Sequence, residues 1–231
     1  MIFEQKLQPA TFLRRYKRFL VDVRMPDKTQ KTVYCPNTGR MTSCLRTGCD
    51  VLLSKSTNLN RKYRYTLELT RPDLCWVGVN TGRANALVEE AARSGVVKEL
   101  GEFDRVHAEI KVSAKSRLDF LFQNDDVMMY LEVKNCTLAE DGVAMFPDAV
   151  TARGTKHLKE LLTLRDQGFE AGVFFCVQRA DAQCFSPADH IDKLYGDTLR
   201  KVAQAGVQIL AYQAEVRPES ISIVKKLPIK I

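Results

Sequence analysis

Short runs of alternating apolar and polar residues fill the first 80 positions of the chain. Turn residues separate them, for example at Pro26-Asp27, at Pro36-Asn37-Thr38-Gly39 and at Pro72-Asp73. Five or six short strands in so few residues are typical of a small closed barrel, and an OB-like barrel is the natural candidate because it closes its own edges. The predicted strands span residues 2–7, 19–24, 32–35, 50–54, 65–69 and 75–79.

Helical periodicity appears only after residue 80. Apolar residues at Ala84, Leu87, Val88 and Ala91 form one stripe and predict a helix over 84–93. Strands alternating with helices predict crossovers on a mainly parallel sheet, and we therefore expect an OB-like domain over 1–80 and an α/β domain over 81–231. The other predicted elements are helices over 151–166 and 187–204, strands over 116–122, 127–134, 171–177 and 207–212, and a loop over 141–151. The strand 171–177 is apolar throughout, as expected for burial on both faces.

Positive charge is concentrated in the predicted barrel. The first 80 residues hold fifteen Lys and Arg against six Asp and Glu, whereas the whole chain has a net charge of +7, so the remaining residues are slightly acidic. Two clusters interleave cations with aromatic residues, at Arg14-Arg15-Tyr16-Lys17-Arg18 and at Arg61-Lys62-Tyr63-Arg64-Tyr65. Because cations neutralise phosphates and aromatic rings stack on bases, this pattern favours a nucleic-acid surface over a merely solvated basic face.

Composition excludes several classes of protein. Hydrophobic residues make up 45% and charged residues 27% of the chain, which is the balance of a globular protein. No apolar run approaches the length of about 20 residues that a membrane span needs, and we expect neither a signal peptide nor a membrane partner. Seven cysteines without a CxxC pair indicate reduced thiols in the cytoplasm and argue against a zinc module.

A predicted β-hairpin over residues 116–135 carries the candidate chemistry. Its turn is Asn124-Asp125-Asp126, and apolar residues alternate along both flanking strands. Joining the two apolar faces fixes the register, because side chains alternate with a period of two. The resulting pairs are Leu118–Val133, Phe120–Leu131 and Phe122–Met129.

This register predicts a carboxylate pair on the opposite face. Asp119 lies across from Glu132, and Lys134 follows two residues further along the same face. Two carboxylates can hold Mg²⁺ or Mn²⁺, which lowers the pKa of water and stabilises charge at phosphorus, while an ammonium group orients the nucleophile. The alternative to a metal site is that these charged side chains form salt bridges on a solvent-exposed face of the hairpin.

Asp119 together with Glu132-Val133-Lys134 resembles the PD-(D/E)XK nuclease superfamily. More closely, the chain is similar to the sugar fermentation stimulation protein A family over nearly its whole length. The matching segments are Cys-Pro-Asn-Thr-Gly-Arg-Met (35–41), Val-Gly-Val-Asn-Thr (77–81), Ala-Asn-Ala-Leu-Val (84–88), Ser-Arg-Leu-Asp-Phe (116–120), Glu-Val-Lys-Asn (132–135), Phe-Pro-Asp-Ala-Val-Thr-Ala-Arg-Gly-Thr-Lys-His-Leu (146–158), Phe-Cys-Val-Gln-Arg (175–179) and Phe-Ser-Pro-Ala (185–188).

The resemblance implies an α/β (α+β overall) chain with an N-terminal OB-like domain that binds DNA and a nuclease-like mixed sheet flanked by helices. It implies Asp119 and Glu132 as metal ligands and Lys134 as the catalytic lysine. The superfamily often adds a glutamate from the preceding helix, and Glu90 is preferred because it lies off the apolar stripe. Arg40 departs from the family pattern, in a loop expected to contact DNA.

A further set of cations lies at the start of the predicted helix 151–166. Thr151 is a suitable N-cap, and Arg153 and Lys156 follow on one side of the first turn, where helix N-termini favour phosphate. His157 is expected to be an ordinary residue of the helix surface.

We expect a cytoplasmic DNA-binding protein with a Mg²⁺- or Mn²⁺-dependent phosphodiesterase (nuclease) site. Double-stranded DNA is favoured over single-stranded, and a homodimer is left open. One alternative is a non-catalytic, sequence-nonspecific DNA-binding regulator that retains the nuclease fold, with a role in sugar metabolism suggested by the family name; another is a single-strand or RNA binder. The residues predicted to contact nucleic acid are Arg14, Arg15, Lys17, Arg18, Arg40, Arg61, Lys62, Arg153 and Lys156.

Overall fold

The N-terminal strands close into a small barrel. In this computed structural model, which describes residues 1–113 and 116–231, the strands of the barrel are β1 (Gln8–Tyr16), β2 (Leu20–Arg24), β3 (Gln30–Tyr34), β4 (Asp50–Lys55), β5 (Tyr65–Arg71) and the short β6 (Val77–Gly78). They are ordered β3-β2-β1-β4-β5-β6, and a parallel pairing of Tyr34 with Thr66 joins β3 to β5. Strands β1 to β5 therefore form a closed ring, and the prediction of an OB-like barrel is confirmed.

The barrel core consists of the inward-facing side chains of these strands. Its fully buried members include Val21, Val33, Leu53, Leu67 and Cys35. The predicted strand over 2–7 is wrong: Ile2 forms only an isolated bridge to Ser220, and the first strand begins at Gln8 instead. Pro9 and the basic residues that follow obscured the alternation of that strand.

The remaining strands form a six-stranded mixed sheet and a small three-stranded sheet. The large sheet is ordered β15-β14-β12-β9-β8-β7, and the small one β10-β11-β13. Strand β12 lies inside the large sheet and runs parallel to both β9 and β14, as its apolar sequence predicts. The strands are β7 (Arg105–Ser113), β8 (Ser116–Gln123), β9 (Met128–Cys136), β10 (Leu138–Glu140), β11 (Val143–Phe146), β12 (Glu170–Val177), β13 (Cys184–Pro187), β14 (Gln208–Val216) and β15 (Ile221–Lys226).

Three helices cover the two faces of the large sheet. α1 (Ala84–Arg93) packs on one face with Leu131 and Phe174, while α2 (Ala152–Asp166) and α3 (Lys193–Gln204) pack on the other with Val173 and Phe175. The side chain of Thr151 caps α2 by accepting a hydrogen bond from the Gly154 amide, as predicted. None of the helices in the described part of the chain is long and apolar enough to cross a membrane.

The predicted secondary structure after residue 80 needs correction in three places. Strand β7 was missed because it is an edge strand with mostly exposed side chains, so it lacks an apolar face. The predicted loop over 141–151 contains β11, which pairs with β10 and β13. The third helix begins at Lys193 rather than at Pro187, because Asp192 provides the N-cap and Pro187 ends an extended strand.

The central hairpin bends where Asp119 lies. Strands β8 and β9 pair in the predicted register from Gln123–Met128 to Phe120–Leu131, where the ladder stops. The pairing of Leu118 with Val133 on one face is wrong: Leu118 packs beneath α2 and α3, whereas Val133 packs on the side of α1. Glu109, across from Asp119 on β7, has a φ of +55°, a left-handed conformation that costs about 1–3 kcal/mol and accompanies the bend.

Candidate active site

The bend places Asp119 against the backbone of the neighbouring strand. Its Oδ2 accepts a hydrogen bond of 2.7 Å from the Val133 amide, and its Oδ1 accepts one of 2.9 Å from Nδ2 of Asn85 on α1. The carboxylate thus takes the place of a backbone carbonyl as the acceptor for the Val133 amide. This hydrogen bond holds the Asp119 side chain against β9, beside Glu132. Such anchoring fixes the position of the carboxylate before any ligand arrives.

Glu132 is held from two sides. Its side chain is buried, and Oε1 accepts a hydrogen bond of 2.5 Å from Nζ of Lys134 and another from Nδ1 of His157 on α2. Its second oxygen, Oε2, is also buried but has no hydrogen-bond partner among the residues that the structure describes. An unpaired carboxylate oxygen in a buried position is costly, so this atom has unused capacity for a cation or a donor.

The two carboxylates differ in their electrostatics. Burial, together with the negative charge of Glu132, raises the pKa of Asp119 above its ordinary value. Burial also acts to raise the pKa of Glu132, but the hydrogen bond from His157 and the positive charge of Lys134 outweigh it, and the pKa lies below the usual value. Asp119 is therefore the carboxylate that gains most from a nearby cation.

The carboxylates face a cleft of about 510 Å³ between the barrel and the large sheet. Asp119, Glu132 and Lys134 line it from the sheet, and Arg18 with the barrel loop 36–39 closes the opposite side. Arg153, in the first turn of α2, also borders the cleft. The cleft therefore combines two carboxylates with cations from both parts of the chain, a set suited to a metal ion and a phosphate.

The barrel loop that closes the cleft is fixed by hydrogen bonds. The guanidinium group of Arg15 donates bonds of 2.7 Å to the carbonyl oxygens of Asn37 and Gly39, and Oδ2 of Asp148 accepts a bond of 3.2 Å from the Met41 amide. A Cβ atom at Gly39 would lie 2.1 Å from that same carboxylate oxygen, so only glycine allows this approach.

A buried arginine links the barrel to the large sheet behind the cleft. Arg179 donates bonds of 3.0 Å to Oγ of Ser43 in the barrel region and of 2.7 Å to the carbonyl oxygen of Thr137, and it pairs with Asp181. These contacts join the barrel region to the ends of β9 and β12.

The structure distributes the predicted nucleic-acid residues unevenly. Arg18 and Arg153 border the cleft, and Arg15 and Arg40 line an adjoining pocket on the barrel side. The guanidinium group of Arg15 is engaged by backbone carbonyl oxygens, so its main contact is with the protein itself. Lys156 is exposed and lines a separate pocket on the other side of Arg153.

The other predicted residues lie away from the cleft. Nε of Arg14 is 2.8 Å from Oδ2 of Asp22, and Lys17 is exposed at the tip of the β1–β2 hairpin. Arg61 lies over the ring of Tyr34, and Lys62 over the ring of Tyr63. The carboxylate of Glu90 accepts a bond of 2.6 Å from the amino group of Met1, and the α1 residue at the carboxylate pair is Asn85 instead.

Sequence reasoning missed His157, Asn85 and Asp148 as residues of the site. His157 is 5% exposed rather than on the helix surface. The signal was present, because His157 follows Gly154 by three residues and precedes Leu161 by four, which places it on the buried stripe of α2. No comparable pattern marked Asp148, whose role depends on a barrel loop more than 100 residues away.

Comparisons with known proteins support one family. Residues 13–79 match the model described as SfsA N-terminal OB domain, and residues 82–220 match the sugar fermentation stimulation protein RE domain. A sugar fermentation stimulation protein homolog from Desulfotalea psychrophila is 52% identical, covering 99% of this chain and 94% of that protein. A homolog from Teredinibacter turnerae is 50% identical, covering 99% of both. The structure of Pyrococcus furiosus SfsA in complex with Ca²⁺ matches with a TM-score of 0.92 and 26% identity, covering 100% of this chain and 98% of that one.

Proposed function

We propose that this chain, which belongs to the sugar fermentation stimulation protein family, is a DNA-binding protein with a divalent-metal-dependent phosphodiesterase site. The observation that carries the proposal is the cleft in which Asp119 and Glu132 meet, with Lys134 beside them and one buried oxygen of Glu132 unpaired within the described part of the chain. The Pyrococcus furiosus relative was solved in complex with Ca²⁺, which supports divalent-cation binding by this chain.

The residues present fit a divalent metal ion. Asp119 and Oε2 of Glu132 would hold Mg²⁺ or Mn²⁺, since both are hard oxygen donors and no described side chain or backbone group bonds to Oε2. When bound, such an ion lowers the pKa of water and stabilises negative charge at phosphorus. Asn85 and the Val133 amide orient Asp119, and His157 orients Glu132.

The cations of the site act on the substrate. Nζ of Lys134 lies on the cleft side of Glu132, where an ammonium group can orient an attacking water and balance the charge that develops on the phosphate. Arg153 and Arg18 border the same cleft and would position the phosphate backbone. Double-stranded DNA is the preferred substrate class, because the positive charge extends over both the barrel and α2.

Cleavage of supercoiled and linear duplex DNA in Mg²⁺ or Mn²⁺ tests the proposal. Glu132→Gln and Asp119→Asn keep the shape of each side chain and should abolish cleavage while DNA binding in EDTA persists. Asp125→Asn, in the turn of the same hairpin, removes an exposed carboxylate and serves as the matched control. Cleavage that survives both site variants would show that these carboxylates do not carry the activity.

A second candidate is a DNA-binding regulator without catalysis. One observation favours it: the described residues contain no group of three His, Cys, Asp or Glu side chains arranged to hold a metal, and Lys134 and His157 both engage Glu132. DNA binding by the wild type with no cleavage of any substrate, and no divalent cation bound in calorimetry, would support the regulator.

A further inference from the structure

A second pocket adjoins the cleft on the side away from the barrel. It has a volume of about 580 Å³ and lies between β7, β8 and the first turns of α2. Arg153 borders both cavities, and His157, which contacts Glu132, lines this pocket as well. The carboxylate pair and the second pocket are thus separated by little more than one histidine side chain.

Four cations line this pocket among residues 1–113 and 116–231. Lys111 and Arg117 lie directly opposite each other on β7 and β8, and Arg153 and Lys156 are three residues apart on α2. Glu109 is the one carboxylate among the described residues that line it. The concentration is notable because the chain outside its first 80 residues is slightly acidic.

Two of these cations are arranged unfavourably without an anion. Like charges directly opposite on paired strands destabilise a sheet, and Lys111 and Arg117 hold such positions on β7 and β8. Among the described ion pairs, none involves Lys111, Arg117 or Arg153, although the protein uses many of its other arginines in such pairs. A bound anion would remove the repulsion.

The pocket also continues a cationic path. The pocket on the barrel side, with Arg15, Arg18 and Arg40, shares Arg18 and Gly39 with the cleft. The three cavities therefore follow one another, with cations at both ends and the carboxylates in the middle. Strand β7 is the edge of the large sheet, so the outer end of this path is open to a large ligand.

We propose that the pocket lined by Lys111, Arg117, Arg153 and Lys156 binds a backbone phosphate that neighbours the phosphate held at the carboxylate pair. This inference rests on the proposed function and assigns the path of the DNA: from Arg18, across Asp119 and Glu132, past Arg153, to the edge strand β7. The ligand is recognised by charge, so the site reads no base sequence.

Duplex binding in EDTA, followed by fluorescence anisotropy at several KCl concentrations, tests the path. Lys111→Ala/Arg117→Ala should weaken binding roughly tenfold or more near 0.1 M salt and flatten the slope of log affinity against log salt by about 2. The matched control is Lys225→Ala/Lys230→Ala, which removes the same charge from exposed positions at and beyond β15, on the opposite edge of the sheet. Equal losses of DNA affinity in both double variants would show that only the overall charge of the protein matters, and would overturn the proposal.

A second measurement separates this pocket from the proposed function. Pyrophosphate should raise the thermal unfolding midpoint of the wild type and not that of Lys111→Ala/Arg117→Ala. Without anions and at low salt, the double variant should be at least as stable as the wild type, because it relieves repulsion; a lower midpoint would indicate a structural role and contradict the proposal. If pyrophosphate raises the unfolding midpoint of the wild type but the protein binds no DNA, the result supports an anion-binding pocket and refutes the proposed DNA-based function.

Discussion

Replacing His157 by leucine tests whether the buried contact between α2 and Glu132 organises the site. Both side chains are about 95% buried, and Nδ1 of His157 bonds Oε1 of Glu132. Leucine fills a similar volume but cannot donate a hydrogen bond, so it isolates the polar contribution from the packing contribution. Glu132 would then keep Lys134 as its one described partner.

The expected loss of stability follows from that geometry. A hydrogen bond to a charged group contributes about 1.5–3 kcal/mol, and leaving part of a buried carboxylate unsatisfied acts in the same direction. We expect a loss of about 2 kcal/mol, equivalent to a fall of roughly 4–8 °C in the melting temperature of a chain of this size. His157→Gln retains a donor and should recover part of the loss.

Thermal and denaturant unfolding at neutral pH provides the measurement, in a double-mutant cycle with Glu132→Gln. The coupling between the two positions should exceed about 1 kcal/mol, since the residues are in direct contact. The exposed His190, replaced by leucine, is the matched control and should change stability by no more than about 0.5 kcal/mol. Additive effects in the cycle, or a His157→Leu variant as stable as the wild type, would refute the reasoning.

Three further predictions concern the frame around the cleft. Gly39→Ala forces a Cβ atom into the Asp148 carboxylate and should cost about 1–3 kcal/mol in denaturant unfolding. Arg179→Met removes a buried guanidinium from the contact between barrel and sheet and should cost about 1–3 kcal/mol by the same measurement, because the Thr137 carbonyl oxygen and the Ser43 hydroxyl lose their buried donor. Burial acts to raise the pKa of Asp22, but the hydrogen bonds from Arg14 and two hydroxyl groups outweigh it and hold the pKa below its usual value. The charged form of Asp22 therefore stabilises the fold above the ordinary aspartate pKa, and this stabilisation is lost as the pH falls through the lowered pKa of the folded state. Asp22→Asn should accordingly flatten the acid side of the curve of unfolding free energy against pH.

Local pattern was sufficient for much of the fold. The helix over 84–93 matches α1, the barrel strands after the first lie within a few residues of their predicted positions, and the hairpin register holds from its turn to Phe120. These features depend on alternation, helical stripes and turn residues, which act over a few positions. The errors fall where such signals are weak: at the first barrel strand β1, at the start of the third helix, at the edge strand β7 and at the short strands β10, β11 and β13.

The sequence by itself determined which residues could do chemistry, because the alternation of side chains along one hairpin predicts Asp119, Glu132 and Lys134 on the same face. Only the tertiary structure decided what surrounds them. The strands separate at Asp119, which brings Asn85 rather than Glu90 to the carboxylate, and α2 buries His157 against Glu132. The guanidinium group of Arg15 holds the barrel loop 36–39 by hydrogen bonds to its backbone. Cations on β7, β8 and α2, which are distant in sequence, line one pocket. Charge and hydrogen bonding depend on distance in space, and a bend of one strand changes those distances without leaving any periodic trace in the sequence.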